Sequence, residues 1–120
     1  MAVTSTPAAE HKLRMVHPEG IALGFDPGPV FDRTIREAEI QLAPGDRIVC
    51  TTAGAFSVRN AQGEELGEKG FFAIVGKHAN KSSEAFCQLV GSETERLTEG
   101  LPLEEDIVIV TVKRKGKPAA

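Results

Sequence analysis

The sequence lacks tryptophan and tyrosine, and 6 phenylalanines are its only Phe, Trp or Tyr residues. A core must therefore be built mainly from aliphatic side chains, and 120 residues suffice for one domain with such a core. No stretch approaches the ~20 apolar residues of a membrane-spanning helix, and the N-terminus has no apolar run typical of a signal peptide. We therefore expect a cytoplasmic protein without a membrane partner.

The net charge is small, and cysteines are few. The net charge of -3 excludes the strongly basic surface typical of nucleic-acid-binding proteins, so no nucleic-acid partner is expected. The basic run at residues 113–117 is interpreted as part of a solvated tail. The two cysteines, Cys50 and Cys87, are far apart and lack the C-x-x-C spacing. Each is predicted to be a buried, reduced thiol, which agrees with a cytoplasmic location.

Familiar catalytic and metal-binding spacings are missing as well. The three histidines, His11, His17 and His78, do not form an H-x-H or H-E-x-x-H pattern, so solvated surface positions are predicted for them. The glycines around Gly54 do not form a G-x-x-x-x-G-K-[ST] phosphate loop. Local patterns alone therefore identify no site.

The apolar periodicity predicts an α+β fold, with a mainly antiparallel sheet and two helices on one face. A helix is predicted from Gly67 to Gly76 or His78. A second is capped by Ser82 or Ser83 and stops at Gly100. Strands are predicted at residues 12–17, 31–42, 47–52, 55–59 and 107–112, of which 47–52 is central and 107–112 buried.

Turns and ends complete this organisation. The turn at Pro44-Gly45-Asp46 is predicted to be closed by the aspartate, and Asn60–Gly63 to be a hairpin-type turn. Residues 1–19 are interpreted as an N-terminal tail, frayed to about Glu10, with one short strand. Residues 20–114 are assigned to the folded domain and 115–120 to a basic tail.

Five short motifs occur in a fixed order along the chain. They are Gly20–Gly24, Leu42–Asp46, Thr52–Gly54, Arg59–Gly67 and Leu101–Ile107. Together they resemble the C-terminal half of a type-2C (PPM) metal-dependent protein phosphatase, in particular its SpoIIE-like bacterial branch. That branch shows G-x-P-L-G, L-x-P-G-D, T-D-G, E-A-R-N-x-x-G-E-x-F-G and D-D-I-T in the same order. The resemblance covers residues 20–114.

The resemblance implies a β-sandwich with helices outside each sheet and a two-metal Mn²⁺ or Mg²⁺ centre. In the family, metal-bound water attacks a phosphoserine or phosphothreonine without a covalent intermediate. Such hard cations take carboxylate oxygens and water as ligands, and a metal pair neutralises charge on the phosphate. For this chain the resemblance implies the C-terminal half of that sandwich.

Several positions depart from the family pattern. Ala53 stands where the family has the aspartate ligand of T-D-G, and Ser57 stands at the glutamate of E-A-R-N. The two aspartates of D-D-I-T fall on Glu105 and Asp106, which are the candidate metal ligands. The metal-binding segments of the family's first half have no counterpart here. Without the resemblance, Glu104–Asp106 is interpreted as an acidic loop before a strand. Asp106 could alternatively cap an element, or form an ion pair with Arg47 or Arg59.

These departures lead to two hypotheses. In the first, the chain is a degenerate phosphatase domain, inactive by itself and holding no cofactor, which acts as a regulatory or protein-binding module. In the second, it is an active Mn²⁺- or Mg²⁺-dependent phosphatase whose missing ligands come from a partner or a second copy. The apolar strand Ile107–Val112 further predicts self-association, or a protein partner that covers it.

Overall fold

An antiparallel sheet of four strands organises the part of the chain that the computed structural model describes, residues 2–5 and 13–116. For residues 2–5 only the backbone is described. The spatial order is β2-β1-β3-β4, so β3 is an inner strand and β4 lies at an edge. The strands are β1 (Ala2–Ser5), β2 (Leu13–Val16), β3 (Arg47–Thr51) and β4 (Ile109–Lys113).

The pairing of β3 with β4 extends beyond the two strands themselves. In the strands, Cys50 lies opposite Val110. At one end the amide of Thr52 donates to the carbonyl oxygen of Val108 at 3.1 Å. At the other end the amide of Arg114 donates to the carbonyl oxygen of Asp46 at 2.9 Å. β-branched residues favour such extended pairing, and residues 108–114 therefore run continuously beside residues 46–52.

Two helices cover one face of this sheet, as the sequence predicted. The helix α2 spans Gly67–His78, and α3 spans Ser83–Thr98. The hydroxyl of Ser82 accepts the amide of Ala85 at 3.2 Å, which confirms a serine N-cap. The α+β architecture with helices on one face of an antiparallel sheet is thus confirmed.

The core lies between that face and the helices. It contains Val49 of β3, residues of both helices and Ala55, with the Phe56 and Phe71 rings edge to face at 5.5 Å. On the other face of the sheet, Val108, Val110 and Val112 remain 55%, 57% and 56% exposed. The prediction of a buried strand at residues 107–112 is therefore half wrong, because the helices cover only one side of it. The core residues of the helices are Phe71, Ile74, Val75, Phe86 and Val90.

The strand predicted at residues 31–42 is wrong. A short helix, α1, spans Pro29–Thr34 instead, and residues 35–43 have no regular structure. A carboxylate oxygen of Asp26 accepts the amides of Gly28 and Val30 at 2.9 Å, and these hydrogen bonds lower the pKa of Asp26. Because proline at the first helical position is pre-organised for a helix, this capped Pro29 outweighs the alternating pattern that follows.

The second short strand predicted at residues 55–59 is also wrong. The chain makes a 3₁₀ turn at Ala53–Ala55, and Arg59 forms only an isolated bridge with Glu65. Alanine and glycine are depleted in strands, so the Ala-Gly-Ala segment favours a turn over an extended conformation. The frayed end predicted for residues 1–10 is wrong at β1, since residues 2–5 pair with both β2 and β3. The rest of that prediction, and His11, lie outside the described residues.

The predicted burial of single side chains also needs correction. Cys50 and Cys87 are free thiols as expected, but both are exposed, because they lie on faces of the sheet and of α3 that nothing covers in the described structure. His17 is exposed as predicted. His78 is buried at the end of α2, because its ring packs against the acidic Glu93 of α3.

Candidate functional site

The corner after β3 is hydrogen-bonded to the segment that precedes β4. The hydroxyl of Thr52 accepts the amide of Val108 at 3.1 Å and donates to the carbonyl oxygen of Asp106 at 3.3 Å. One side chain thus satisfies backbone groups on both sides of residue 107. The Thr52–Gly54 and Leu101–Ile107 motifs, about fifty residues apart in sequence, are therefore neighbours in space.

Gly54 is required at this corner because the two chain segments nearly touch. A methyl group added to Gly54 would overlap the carbonyl oxygen of Asp106 and lie 3.3 Å from Cβ of Glu105. Backbone atoms cannot move aside as the end of a side chain can. The close approach explains the glycine of the motif without any reference to a ligand.

The two acids at the positions of the family's metal ligands lie at the corner, but they do not form a complete metal site. Glu105 and Asp106 are exposed beside Gly54, whereas the exposed Ala53 offers no oxygen atom. Within the described residues, no three His, Cys, Asp or Glu side chains are grouped as metal ligands would be. A two-metal centre needs several carboxylates around both ions. The donor set in the described chain therefore does not fit the metal pair.

A cleft of about 230 Å³ opens beside the corner, between the 54–63 loop and the segment after α3. At its rim the Nε of Arg59 lies 3.4 Å from a carboxylate oxygen of Glu104, in an exposed ion pair. Arg59 thus pairs with Glu104 and not with Asp106, which makes no ion pair within the described part of the chain. Exposed pairs of this kind contribute roughly 0–1 kcal/mol. Residues lining the cleft include Gly54, Ser57, Val58, Asn60, Leu101, Pro102 and Glu105.

Asn60 shapes the loop on one side of this cleft. Its side-chain oxygen accepts the amides of Gln62 at 3.0 Å and Glu64 at 2.9 Å. Gly63 has φ 78°, a conformation that favours glycine. The predicted hairpin-type turn is confirmed, and asparagine and glycine at these two positions have a structural explanation. Ser57, at the position of the family's glutamate, donates to the carbonyl oxygen of Gly54 at 3.2 Å.

Asp46 has the structural role that its turn predicted. One carboxylate oxygen accepts the amide of Ala43 at 2.9 Å, and the Asp46 amide donates to the carbonyl oxygen of Ala43 at 2.9 Å. Gly45 has φ 90°. The Leu42–Asp46 motif is therefore explained by the turn that feeds β3, and it does not line the cleft.

The surroundings of two polar groups were not predicted from the sequence. One is the buried Arg47 at the start of β3. The other is Glu93 of α3, whose carboxylate lies 2.8 Å from Nζ of Lys77 and 3.2 Å from Nε2 of His78. The contact with His78 has the distance but not the angles of a hydrogen bond. Neither group has a local signature, because each depends on residues from distant parts of the chain.

Comparison with known proteins supports the resemblance that the motifs suggested. The family model described as stage II sporulation protein E (SpoIIE) matches residues 6–115. Among solved structures, the SiaA-PP2C domain of Pseudomonas aeruginosa is similar, with a TM-score of 0.61 and 22% sequence identity. The match covers 65% of this chain and 32% of that domain, so this chain corresponds to about a third of its length. No curated protein sequence matches the chain.

None of the helices described has the length and apolarity needed to cross a membrane.

Proposed function

This chain belongs to the SpoIIE family of phosphatase-like domains, and from that membership we propose that it is a degenerate member which does not hydrolyse phosphoesters by itself. It acts instead as a regulatory, protein-binding module in the cytoplasm. The observation that carries the proposal is Ala53. The family's aspartate ligand at this corner is replaced by a methyl group, in a corner that otherwise keeps its threonine and glycine.

The surroundings of the corner support the same proposal. In a Mn²⁺ or Mg²⁺ centre, carboxylates would hold the ions in fixed geometry, and the ions would supply a nucleophilic water. Here Glu105 and Asp106 are exposed, and the longer side chain of Glu105 shifts its carboxylate by about 1 Å relative to an aspartate. The corner is held together by Thr52 and Gly54, so its shape survives without an ion. A retained shape without the ligand is what a binding role requires.

The test is hydrolysis of a generic aryl phosphate by the purified chain with Mn²⁺, together with calorimetric titration of Mn²⁺. We expect neither turnover nor tight binding of the ion. Turnover that a chelator abolishes would overturn the proposal. The matched control is the Asp106→Asn variant, which removes the one acid that the family pattern leaves unchanged. If turnover belonged to this chain, Asp106→Asn would lower it, whereas a contaminating phosphatase would be unaffected.

A second candidate is an active phosphatase completed by another chain. The exposure of Glu105 and Asp106 beside the corner favours it, because a partner's ligands could reach them. In that case the isolated chain would still bind Mn²⁺ weakly, and the binding would be lost in Asp106→Asn. Absence of both binding and turnover in the isolated chain would exclude this candidate for the chain alone.

A further inference from the structure

The strand β4 lies at an edge of the sheet. Its inner side pairs with β3, and within the described residues no strand pairs with its other side. The backbone groups of Val108 and Arg114 point towards β3, where they are hydrogen-bonded. Because these directions alternate along an antiparallel strand, the backbone groups of Ile109, Thr111 and Lys113 point outwards. Edges like this are usually blunted by proline, by charge or by a covering element.

The sequence of this edge has a polarity of charge. Acidic residues Glu104–Asp106 precede the strand, residues 107–112 carry no charge, and the basic residues Lys113–Lys115 lie at its end and just after it. Proline is absent from residues 104–115. Three valines on its uncovered face are more than half exposed, and a strand paired beside them would bury part of that apolar surface.

We propose that a second copy of this chain pairs antiparallel with β4, about a twofold axis through Val110. Because the axis lies at Val110, Val108 of one copy is opposite Val112 of the other. The same register sets Asp106 opposite Arg114. It also matches the outward-pointing backbone groups of Ile109 in one copy with those of Thr111 in the other.

Charge complementarity selects this occupant. One strand with acids at one end and bases at the other is complementary to itself only when the two copies run antiparallel. In the register above, Asp106 faces Arg114 and Glu105 faces Lys115, twice in each dimer. A parallel arrangement would place acid beside acid and base beside base. Opposite charges that face each other across two paired strands stabilise the pairing, and like charges destabilise it.

The pairing also closes the assembly. An interface in which the same strand of both copies participates is isologous, so it stops at two copies and leaves no repeated open edge. The valine rows of the two copies become neighbours and cover part of each other's surface. This inference rests on the proposed protein-binding role, and it names the partner as a second copy of the chain.

The first test is the mass of the chain by light scattering at tens of micromolar, without metal or substrate. We expect the mass of two chains. Val110→Lys places two ammonium groups together at the twofold axis and should weaken the dimer at least tenfold. Val30→Lys is the matched control, because Val30 is an exposed valine on α1, outside the edge, and its variant should remain dimeric.

The second test exchanges the charges. The double variants Glu105→Lys with Asp106→Lys, and Arg114→Glu with Lys115→Glu, should each dissociate at least tenfold more readily than the original chain, because like charges then face each other. An equimolar mixture of the two should restore the dimer, since every facing pair is again opposite in charge. Circular dichroism and a cooperative melt of each variant establish that it is folded.

A mass of one chain for the original protein would overturn the proposal, and so would a dimer that withstands both Val110→Lys and the charge reversals. Larger or open-ended assemblies would contradict the closed pairing. If the chains associated through another surface, Val30→Lys would abolish the dimer, or mixing the two charge-reversed variants would not change the mass. These measurements follow mass and not hydrolysis, so a failure here differs visibly from an active chain, which would overturn the proposed function.

Discussion

The guanidinium carbon of Arg47 lies 4.5 Å from the centroid of the Phe86 ring, and both side chains are fully buried. The charge is held between the sheet and α3, and among the described residues no carboxylate forms an ion pair with it. Burial lowers the pKa of Arg47, and the neighbouring Cys87 opposes that effect. Arginine nevertheless stays protonated in proteins, so the site keeps its cation. The guanidinium donates hydrogen bonds to the carbonyl oxygens of Ala79 and Lys81 and to the hydroxyls of Ser83 and Thr111.

We predict that Arg47→Lys lowers the free energy of unfolding by about 2–3 kcal/mol, measured by chemical denaturation. Lysine cannot reach several acceptors at once or stack its charge on Phe86 in the same way, so buried acceptors lose their partners. The control is Arg33→Lys in α1, where the side chain is exposed, and a change within about 0.5 kcal/mol is expected. Equal effects of the two variants would mean that the buried network is not stabilising.

The carboxylate of Glu93 joins the two helices, and its pKa is lowered. The hydrogen bond from Lys77 is the largest cause, and the contact with His78 adds to it, while burial opposes both. A carboxyl with a depressed pKa in the folded state stabilises the fold above the ordinary glutamate pKa of about 4.3. That contribution is lost as the pH falls through the lower, folded-state pKa.

Glu93→Gln should therefore be less stable than the original chain at pH 7, by about 1–2 kcal/mol, with the difference shrinking below about pH 4. Denaturation curves across this pH range measure it. Glu95→Gln is the matched control, since Glu95 is an exposed residue of α3 for which no salt bridge is found in the described structure. A constant difference across the pH range would show that the effect of Glu93→Gln is not electrostatic.

The sequence was sufficient for the elements whose ends carry local signals. Ser82 caps α3, the turn at Asp46 feeds β3, and Asn60 with Gly63 closes the loop; each acts on backbone groups within four residues. The alternating pattern at positions 38–42 is typical of a strand, yet in the described structure no neighbouring strand pairs with these residues. Periodicity alone does not reveal whether a partner exists.

The site divides in a similar way. The family resemblance predicted that Glu105 and Asp106 belong to the same site as Thr52–Gly54. The structure shows those two segments in contact. The motifs could not show that Glu104 pairs with Arg59, or that Arg47 is buried with backbone carbonyl oxygens and hydroxyls as its hydrogen-bond acceptors. The contacts of Arg47 and Glu104 join residues 32 to 64 positions apart, and only the folded chain decides them.

Gly54→Ala tests the close approach at the corner. We expect a loss of about 1–3 kcal/mol in the free energy of unfolding, because the new methyl group meets the backbone of Asp106. Gly91→Ala is a sharp control. Gly91 lies inside α3 with nothing near its added methyl group, so that variant should gain about 0.5–1 kcal/mol. Two thermal melts shifting in opposite directions would support the geometry, and a neutral Gly54→Ala would contradict it.

Ala53→Asp restores the carboxylate that the family carries at the corner. Three acids would then stand close together, at residue 53 and at Glu105 and Asp106, and hard cations prefer such oxygen ligands. We expect calorimetry to show Mn²⁺ binding at least tenfold tighter than in the original chain. We do not expect hydrolysis of an aryl phosphate, because the described residues supply no further ligands for a second ion.

Ala73→Asp is the matched control for that variant, because Ala73 is an exposed alanine on α2 and its new carboxylate lies outside the corner. Ala73→Asp should leave the affinity for Mn²⁺ unchanged. Equal gains in the two variants would mean that the added charge attracts the ion without a site. Strong hydrolysis by Ala53→Asp would mean that the chain itself supplies the remaining ligands, so that one methyl group in place of a carboxylate is all that separates it from an active phosphatase.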